Sequence, residues 1–184
     1  MKAAHHVLFV LVLVASLSAP KLLLCQNLTS AELSCHRFVQ DFYDWYVPIG
    51  IADKERLMAE LLPRKSSFDQ RLWQMLAADD EAQSHSDEIV GLDFDPILNS
   101  QDPSPKFIVK SVSVKDGRCN AFVVGINEGV EEEHVIPELA LFNGHWIFMN
   151  FRYESWVSGK LRRSDLVQAL KDLANDRARS RKDK

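Results

Sequence analysis

The chain has 184 residues, of which 46% are apolar and 26% charged, the composition of a globular protein with an ordinary core. This length suits one domain plus a targeting segment and leaves little room for two full domains. Its 22 basic and 26 acidic side chains give a net charge of −4, so no general basic field draws the chain to nucleic acid.

The first 25 residues have the layout of a secretory signal peptide. Lys2 precedes an apolar run, Val7–Val14, and small side chains follow that run. The pattern predicts export, periplasmic or secreted, with removal of residues 1–25. Two alternatives stay open. One is a retained membrane anchor, for which the apolar run is short, and the other is lipid attachment at Cys25, where the motif favours a residue smaller than Leu24.

Removal of that segment changes the net charge and leaves two cysteines that could form a disulfide. It takes away Lys2 and Lys21, leaves 20 basic against 26 acidic side chains, and brings the net charge to about −6. This charge argues against general binding to anionic membranes, and no stable membrane span is expected once the apolar run is removed. Cys35 and Cys119 remain, and oxidising conditions outside the cytoplasm allow a disulfide between them. Two buried free thiols are the alternative.

Helical patterns dominate the first half of the mature chain. Thr29-Ser30-Ala31-Glu32 is a capping box, and an apolar stripe at helical spacing follows it until Pro48 and Gly50. The stripe consists of Leu33, Phe38, Phe42, Trp45 and Tyr46. Such a stripe is more often the core face of a helix than a ligand wall. A second helix is predicted from Asp53 to Leu62, and a third from a capping box at Ser67-Phe68-Asp69-Gln70.

Strand patterns dominate the second half, where two β-hairpins are predicted around turns that need positive φ. The first pairs Phe107–Lys115 with Cys119–Ile126 around Asp116-Gly117, and the second pairs Val135–Phe142 with His145–Tyr153 around Asn143-Gly144. Glu131-Glu132-Glu133 is predicted to keep a loop between the hairpins solvated. A helix from Ser164 to Asn175 and a basic flexible tail over residues 176–184 end the chain.

The order of these elements predicts an α+β fold in a single domain over residues 27–175. N-terminal helices pack on a curved four-stranded antiparallel sheet, and a C-terminal helix follows. Pairing around the second turn sets Trp146 and Phe148 on one face of the sheet and Ile147 and Met149 on the other. Because both sets are apolar, either the sheet is covered on both sides or one face forms a homodimer.

Two segments carry a resemblance to a known family. Residues 91–103 read Gly-Leu-Asp-Phe-Asp-Pro-Ile-Leu-Asn-Ser-Gln-Asp-Pro, and residues 144–153 read Gly-His-Trp-Ile-Phe-Met-Asn-Phe-Arg-Tyr. With the aromatic opening helix, these segments resemble the exported bacterial proteins of domain of unknown function family 3828 over residues 31–173. The resemblance implies export and a cystatin-like, nuclear-transport-factor-two-like cone fold. It implies no activity, because none is established for the family.

The acidic segment, residues 91–103, is the candidate binding site. Its oxygen-bearing side chains are Asp93, Asp95, Asn99 and Asp102. Calcium accepts such ligands, but their spacing is not that of an EF-hand. Asp and Asn near proline more often brace a loop by accepting backbone N–H groups, so we predict this role and no metal. Arg152, followed by Tyr153, is predicted to hold the segment to the sheet through Asp93 or Asp95.

No zinc pattern, glycine-rich phosphate loop or nucleophile signature occurs in the sequence, so no catalytic residue and no cofactor is predicted. We expect a non-enzymatic envelope module that binds a small ligand or an envelope protein beside the acidic segment. One alternative is a small cone-fold hydrolase or isomerase with Asp93 or Asp95 as general base and a tyrosine (Tyr43, Tyr46 or Tyr153) as donor. A structural homodimer is another.

Overall fold

The computed structural model describes residues 28–52, 57–157 and 160–180, and the predicted signal peptide lies outside them. These residues form four α-helices, one 3-10 helix and five β-strands. The helices are α1 Ser30–Ala52, α2 Leu57–Leu61, the 3-10 helix Leu62–Ser67, α3 Gln70–Ser84 and α4 Leu166–Ser180. The strands are β1 Lys106–Lys115, β2 Arg118–Asn127, β3 Val130–Phe142, β4 His145–Val157 and β5 Lys160–Asp165. The fold is therefore α+β, as predicted.

The sheet is open and antiparallel, with its strands in the order β1-β2-β3-β4-β5. The predicted number of four strands is wrong, because Lys160–Asp165 pairs with β4 as a fifth strand. This strand is short and almost entirely polar, which suits an edge strand but gives no apolar alternation for sequence reasoning to detect. Asp165 Oδ1 then accepts the N–H of Gln168 at 2.8 Å, so α4 begins after Asp165 and not at Ser164.

Three hairpin turns join the first four strands, and each has two residues with positive φ. The turns predicted at Asp116-Gly117 and Asn143-Gly144 are confirmed, with φ of 50° and 70° in the first and 50° and 80° in the second. Glu128-Gly129 forms the third, with φ of 50° and 85°. Because this turn is tight, β3 starts at Val130, and Glu131-Glu132-Glu133 lies in a strand and not in the predicted loop.

The aromatic stripe of α1 is a core face, as predicted, except at its start. Phe42 is buried and packs its ring against Phe148 and Phe68, at centroid distances of 4.7 and 5.7 Å. Leu33, one turn into the helix, is exposed instead. The helix also continues through Pro48 to Ala52. Proline lacks an N–H and so removes one hydrogen bond of the helix, which this last turn tolerates.

The predicted register of the second hairpin is confirmed from the turn as far as the pair Leu139 and Phe148. Leu139 faces Phe148 and Ala140 faces Ile147 across the two strands, with a bulge between Glu138 and Leu139. Leu139 and Phe148 are buried beneath the helices, whereas Ala140 and Ile147 are half-exposed on the opposite face. The helices described here thus cover one side of the sheet.

A disulfide joins Cys35 of α1 to Cys119 of β2, so the bridged alternative is the one that the structure contains. Trp146 Nε1 donates a second link to α1, a 2.9 Å hydrogen bond to Ser34 Oγ. Both contacts fix the first turns of α1 against the sheet. None of the helices that the structure describes combines the length and the apolar character needed to cross a bilayer.

Candidate functional site

The acidic segment folds as a tight turn around Asp95. One carboxylate oxygen of Asp95 accepts the backbone N–H groups of Ile97 and Leu98, at 2.7 and 3.1 Å. The backbone of Asp95 is bonded to Ser100 and Asn99, at 3.0 and 2.8 Å. The Asp95 side chain thus accepts the free N–H groups of the turn that follows it, which is the bracing role predicted for the segment.

Three tyrosine hydroxyls, two from α1 and one from β4, fasten this turn to the rest of the fold. Their acceptors are Asp95 Oδ2 for Tyr46 (2.8 Å), the carbonyl of Ile97 for Tyr43 (3.0 Å) and the carbonyl of Pro96 for Tyr153 (2.7 Å). Burial raises the pKa of each tyrosine well above its usual value, and the negative charge of Asp95 adds to the shift. All three therefore stay neutral and act as hydrogen-bond donors.

The predicted link between Arg152 and the acidic segment is wrong. Arg152 Nε lies 2.7 Å from Glu138 Oε1, close enough for an ion pair although not aligned as a hydrogen bond, and Nη2 donates to Asn120 Oδ1 at 3.4 Å. The reason is strand alternation: Tyr153 points into the core, so its neighbour Arg152 points to the outer face. Tyr153 instead holds the segment to the sheet, through the carbonyl of Pro96.

The remaining predicted site residues do not converge on one point. Asn99, at φ 56°, donates its side-chain amide to the carbonyl of His134 at 3.4 Å. Asp93 accepts from Gln101 Nε2 at 3.4 Å, and the Asp102 N–H donates to Ser100 Oγ. Within the described ranges, no three His, Cys, Asp or Glu side chains are grouped to hold a metal ion.

The start of the segment is held by an ion pair that sequence reasoning missed. Arg177 Nη1 lies 2.6 Å from Asp79 Oδ1 and donates to the carbonyl of Val90 at 2.8 Å, while Asp79 Oδ2 accepts the N–H of Leu92 at 2.9 Å. The side chains of Arg177 and Asp79 are only 16% and 7% exposed.

The flexible tail was predicted to begin at residue 176, but residues 176–180 belong to α4, so the prediction is wrong for these residues. The basic composition of these residues suggested a solvated tail, whereas their helical spacing indicates that α4 continues. Leu166, Leu170 and Arg177 follow one another at intervals of four and seven residues, which places Arg177 on the buried face of α4.

A cavity of about 560 Å³ lies between the acidic segment, Tyr46 of α1, Leu57 of α2 and one face of α3. Its apolar wall is formed by Leu57, Leu76, Ile89, Leu92 and Phe94. Its charged lining residues, among those that the structure describes, are all aspartates: Asp79, Asp80, Asp93 and Asp95. Asp93 and Asp95 are thus the two predicted site residues that meet at this cavity.

The four aspartates differ in how their charge is compensated. Asp79 is paired with Arg177, and Asp95 accepts two backbone N–H groups and the hydroxyl of Tyr46. Asp93 has one long hydrogen bond from Gln101. For Asp80 the described part of the chain provides neither a hydrogen bond nor an ion pair. Desolvation raises the pKa of Asp80 above its usual value, and the neighbouring charges of Asp79 and Glu81 raise it further.

A second, more open hollow of about 620 Å³ lies outside this site, beside Lys65 and Trp73. Lys65 Nζ stands 5.5 Å from the centre of the Trp73 ring, so a cation of the protein already covers that aromatic surface. The Trp73 hollow contains none of the predicted site residues.

No family model, curated protein or solved structure matches the chain. The class to which the protein belongs is therefore defined by its own fold and site. It is an α+β protein with an open five-stranded antiparallel sheet, and its helices and a tyrosine-anchored acidic segment enclose a cavity with an apolar wall and an acidic rim.

Proposed function

We propose that the protein is a non-enzymatic binding module, exported to the cell envelope, which holds a small ligand in the cavity beside the acidic segment. The observation that carries the proposal is the cavity itself. Its volume of about 560 Å³ falls within the roughly 300–1,000 Å³ of small-molecule sites. Its lining combines apolar side chains with polar groups, and small-molecule sites pair apolar surface with polar groups that orient the ligand.

The walls of the cavity are held from several sides, as a binding site requires. Asp79 and Arg177 fix the start of the acidic segment, and Gln83 of α3 accepts the N–H groups of Val90 and Gly91 at 3.0 and 3.1 Å. Tyr46 fixes Asp95 from the opposite side. A ligand then loses less free energy to ordering the protein, because these groups are ordered before it binds.

Export and a cone-like arrangement complete the proposal. Support for export comes from the signal-peptide pattern of residues 1–25 and from the Cys35–Cys119 disulfide, which is compatible with an oxidising compartment. Support for membership of domain of unknown function family 3828, and for its cystatin-like cone, comes from the two quoted segments and from helices that precede an antiparallel sheet. The homodimer on the outer sheet face stays a prediction.

The hydrolase or isomerase alternative has less support than binding. A general base has to reach the proton that it removes, and both oxygens of Asp95 are engaged by the turn and by Tyr46. Asp93 is the remaining candidate, but the tyrosine that would act as donor is bonded to Asp95 instead. Among the described lining residues, Asp93 thus has no tyrosine donor beside it that is free of Asp95.

Titration of the ¹⁵N-labelled protein with 2-phenylethanol, followed by NMR, tests the binding proposal. This probe has an apolar ring and one neutral polar group, and we expect saturable shifts at residues 89–101 and at the Gln83 side-chain amide. Ile89, which is 75% exposed at the rim, offers a mild variant, Ile89→Ser, with Val130→Ser as a matched control on the exposed end of β3.

We expect Ile89→Ser to weaken binding about fivefold, because roughly 1 kcal/mol of apolar contact with the probe is lost. Val130→Ser leaves the affinity unchanged. The proposal is rejected if the probe shifts only the resonances around the Trp73 hollow, or shifts none at all.

A further inference from the structure

We infer that the ligand of this cavity is a small molecule with a protonated nitrogen on an apolar body, and that the nitrogen is bound by the carboxylates of Asp80 and Asp93. The inference rests on the proposed function and adds the chemical class of the ligand. It follows from the cavity's combination of an apolar wall with charged groups that, among the lining residues that the structure describes, are all negative.

The charge of the lining favours a cation. Of the four aspartates, Asp79 and Asp95 are compensated by Arg177 and by the turn with Tyr46. Asp80 and Asp93 also line the cavity. Within the described residues, Asp93 accepts one hydrogen bond of 3.4 Å, from Gln101, and Asp80 accepts none. An ammonium group would give these oxygens charge-assisted hydrogen bonds, whereas an anion would be repelled by the aspartates of the described lining.

The apolar wall requires more than a bare cation. Leu57, Leu76, Leu92 and Phe94 line the cavity together, and Ile89 extends this wall to the rim. A hydrated inorganic ion would leave this surface in water, and no three His, Cys, Asp or Glu side chains among the described residues are grouped to hold a metal ion. An organic amine matches both parts, because its carbon body covers the wall while its nitrogen meets the rim.

The electrostatics of Asp80 agree with this assignment. Burial without a partner raises the pKa of its carboxyl, which means that its negative charge lacks compensation in the free protein. A bound ammonium ion would supply that compensation.

The volume favours a free amine over the side chain of a docked peptide. A cavity of about 560 Å³ encloses a small molecule, and the recognition of a peptide by strand or helix addition needs a sheet edge or a long groove. The experiment includes a peptide arm to separate these two sources of the same cation.

Three probes that share a phenyl ring test the inference: 2-phenylethylamine, 2-phenylethanol and phenylacetate. Each is titrated into the full protein by NMR at pH 7 and low salt, with binding read from residues 89–101. We expect the amine to bind about tenfold more tightly than the alcohol, and phenylacetate to bind more weakly than both.

Asp80→Asn and Asp93→Asn should each lower the affinity for the amine several-fold, and by more than they change the affinity for the alcohol. Asp41→Asn is the matched control, because Asp41 is exposed on α1 and does not line the cavity. Thermal unfolding of each variant establishes that the fold is retained.

If the alcohol binds in the cavity as tightly as the amine, the cationic ligand class is wrong while the binding module stands. If no probe shifts residues 89–101, the binding module itself is wrong. An amine affinity unaltered by both Asn variants also overturns the inference. The fourth probe, N-acetyl-lysine-N-methylamide, should bind at least tenfold more weakly than 2-phenylethylamine. Tighter binding would reassign the cation to a protein partner and overturn the small-molecule class.

Discussion

The ionised carboxylate of Asp80 opposes folding, and the same side chain lines the cavity. It lies on α3 between Asp79 and Glu81, and its carboxylate is partly buried with no compensating partner among the described residues. Groups that oppose folding are often retained because they serve a site, since stability and binding make different demands on the same side chain.

The sign of the Asp80 effect on stability follows from its raised pKa. The folded protein holds the Asp80 proton more tightly than the unfolded chain does, so ionised Asp80 destabilises the fold. The penalty is fully present above the raised pKa, shrinks as the pH falls through that value, and is absent below the usual value of 3.8.

Asp80→Asn should therefore be more stable than the parent at pH 7, by about 0.5 kcal/mol once solvent screening is allowed for. The gain should shrink as the pH is lowered towards 4. Urea unfolding at both pH values measures it, with Asp41→Asn on the exposed face of α1 as control. A variant less stable than the parent at pH 7 would contradict this account of Asp80.

Glu133 is the residue whose surroundings were hardest to foresee. It is 8% exposed and accepts both the N–H and the hydroxyl of Ser104, at 3.0 and 2.6 Å. Its carboxylate occupies the space above Gly125 in the next strand, where a Cβ atom would collide with it. Three consecutive glutamates resemble a solvated loop, and only the pairing of β2 with β3 reveals that one of them is enclosed.

At the scale of elements, the edge strand β1 is protected by one side chain of α1. The amide of Gln40 donates to the carbonyl of Phe107 at 3.1 Å and accepts the N–H of Val109 at 2.8 Å, as a neighbouring strand would do. The other edge, β5, has Lys160, Arg162 and Arg163, and charge discourages further pairing there. The two edges of the sheet are thus protected from further strand pairing by different means.

Gln40→Met should expose this edge while it keeps a helix-forming residue of similar length. We expect a loss of about 1–2 kcal/mol, because the buried donor and acceptor of β1 lose their partner. Hydrogen exchange gives the specific readout: the Val109 amide should exchange at least tenfold faster, whereas Val123 on the paired strand should change only with global stability. Equal acceleration at both amides would show that Gln40 has no local role at the edge.

The elements that the sequence predicted correctly are those with a local signal. The capping box of α1 is complete, with the Thr29 N–H bonded to Glu32 at 2.8 Å and the Glu32 N–H bonded to Thr29 at 3.2 Å. The hairpins at Asp116-Gly117 and Asn143-Gly144 lie where their turns predicted. Strand β5 and the last turn of α4 were missed because tertiary contacts stabilise them, β4 in one case and the Asp79–Arg177 pair in the other.

At the scale of the whole molecule, α1 connects the sheet to the site. Its first half is fastened to the sheet by the Cys35–Cys119 disulfide and by Ser34, and its second half places Tyr43 and Tyr46 on the acidic segment. The bracing by Asp95 could be predicted from its place beside proline. The cavity could not, because it forms where residues from α1, α2, α3 and the segment meet across long stretches of sequence.

This arrangement predicts how the disulfide contributes to the molecule. The bridge spans a sequence separation of 84 residues and so restricts much of the unfolded chain. In the chain-entropy view, a loop of this length corresponds to about 4.5 kcal/mol. We expect Cys35→Ala/Cys119→Ala to lose about this much in urea unfolding, with the slope of the transition increased because its unfolded state is more expanded.

The same variant separates global stability from the site. Since Tyr43 and Tyr46 lie two and three turns beyond Cys35 on α1, their bonds to the acidic segment do not depend on the bridge in the folded state. The folded fraction of the double variant should therefore bind 2-phenylethanol with the affinity of the parent. Weaker binding at full folding would mean that the disulfide also positions the cavity, and that α1 moves as one rigid rod between the sheet and the site.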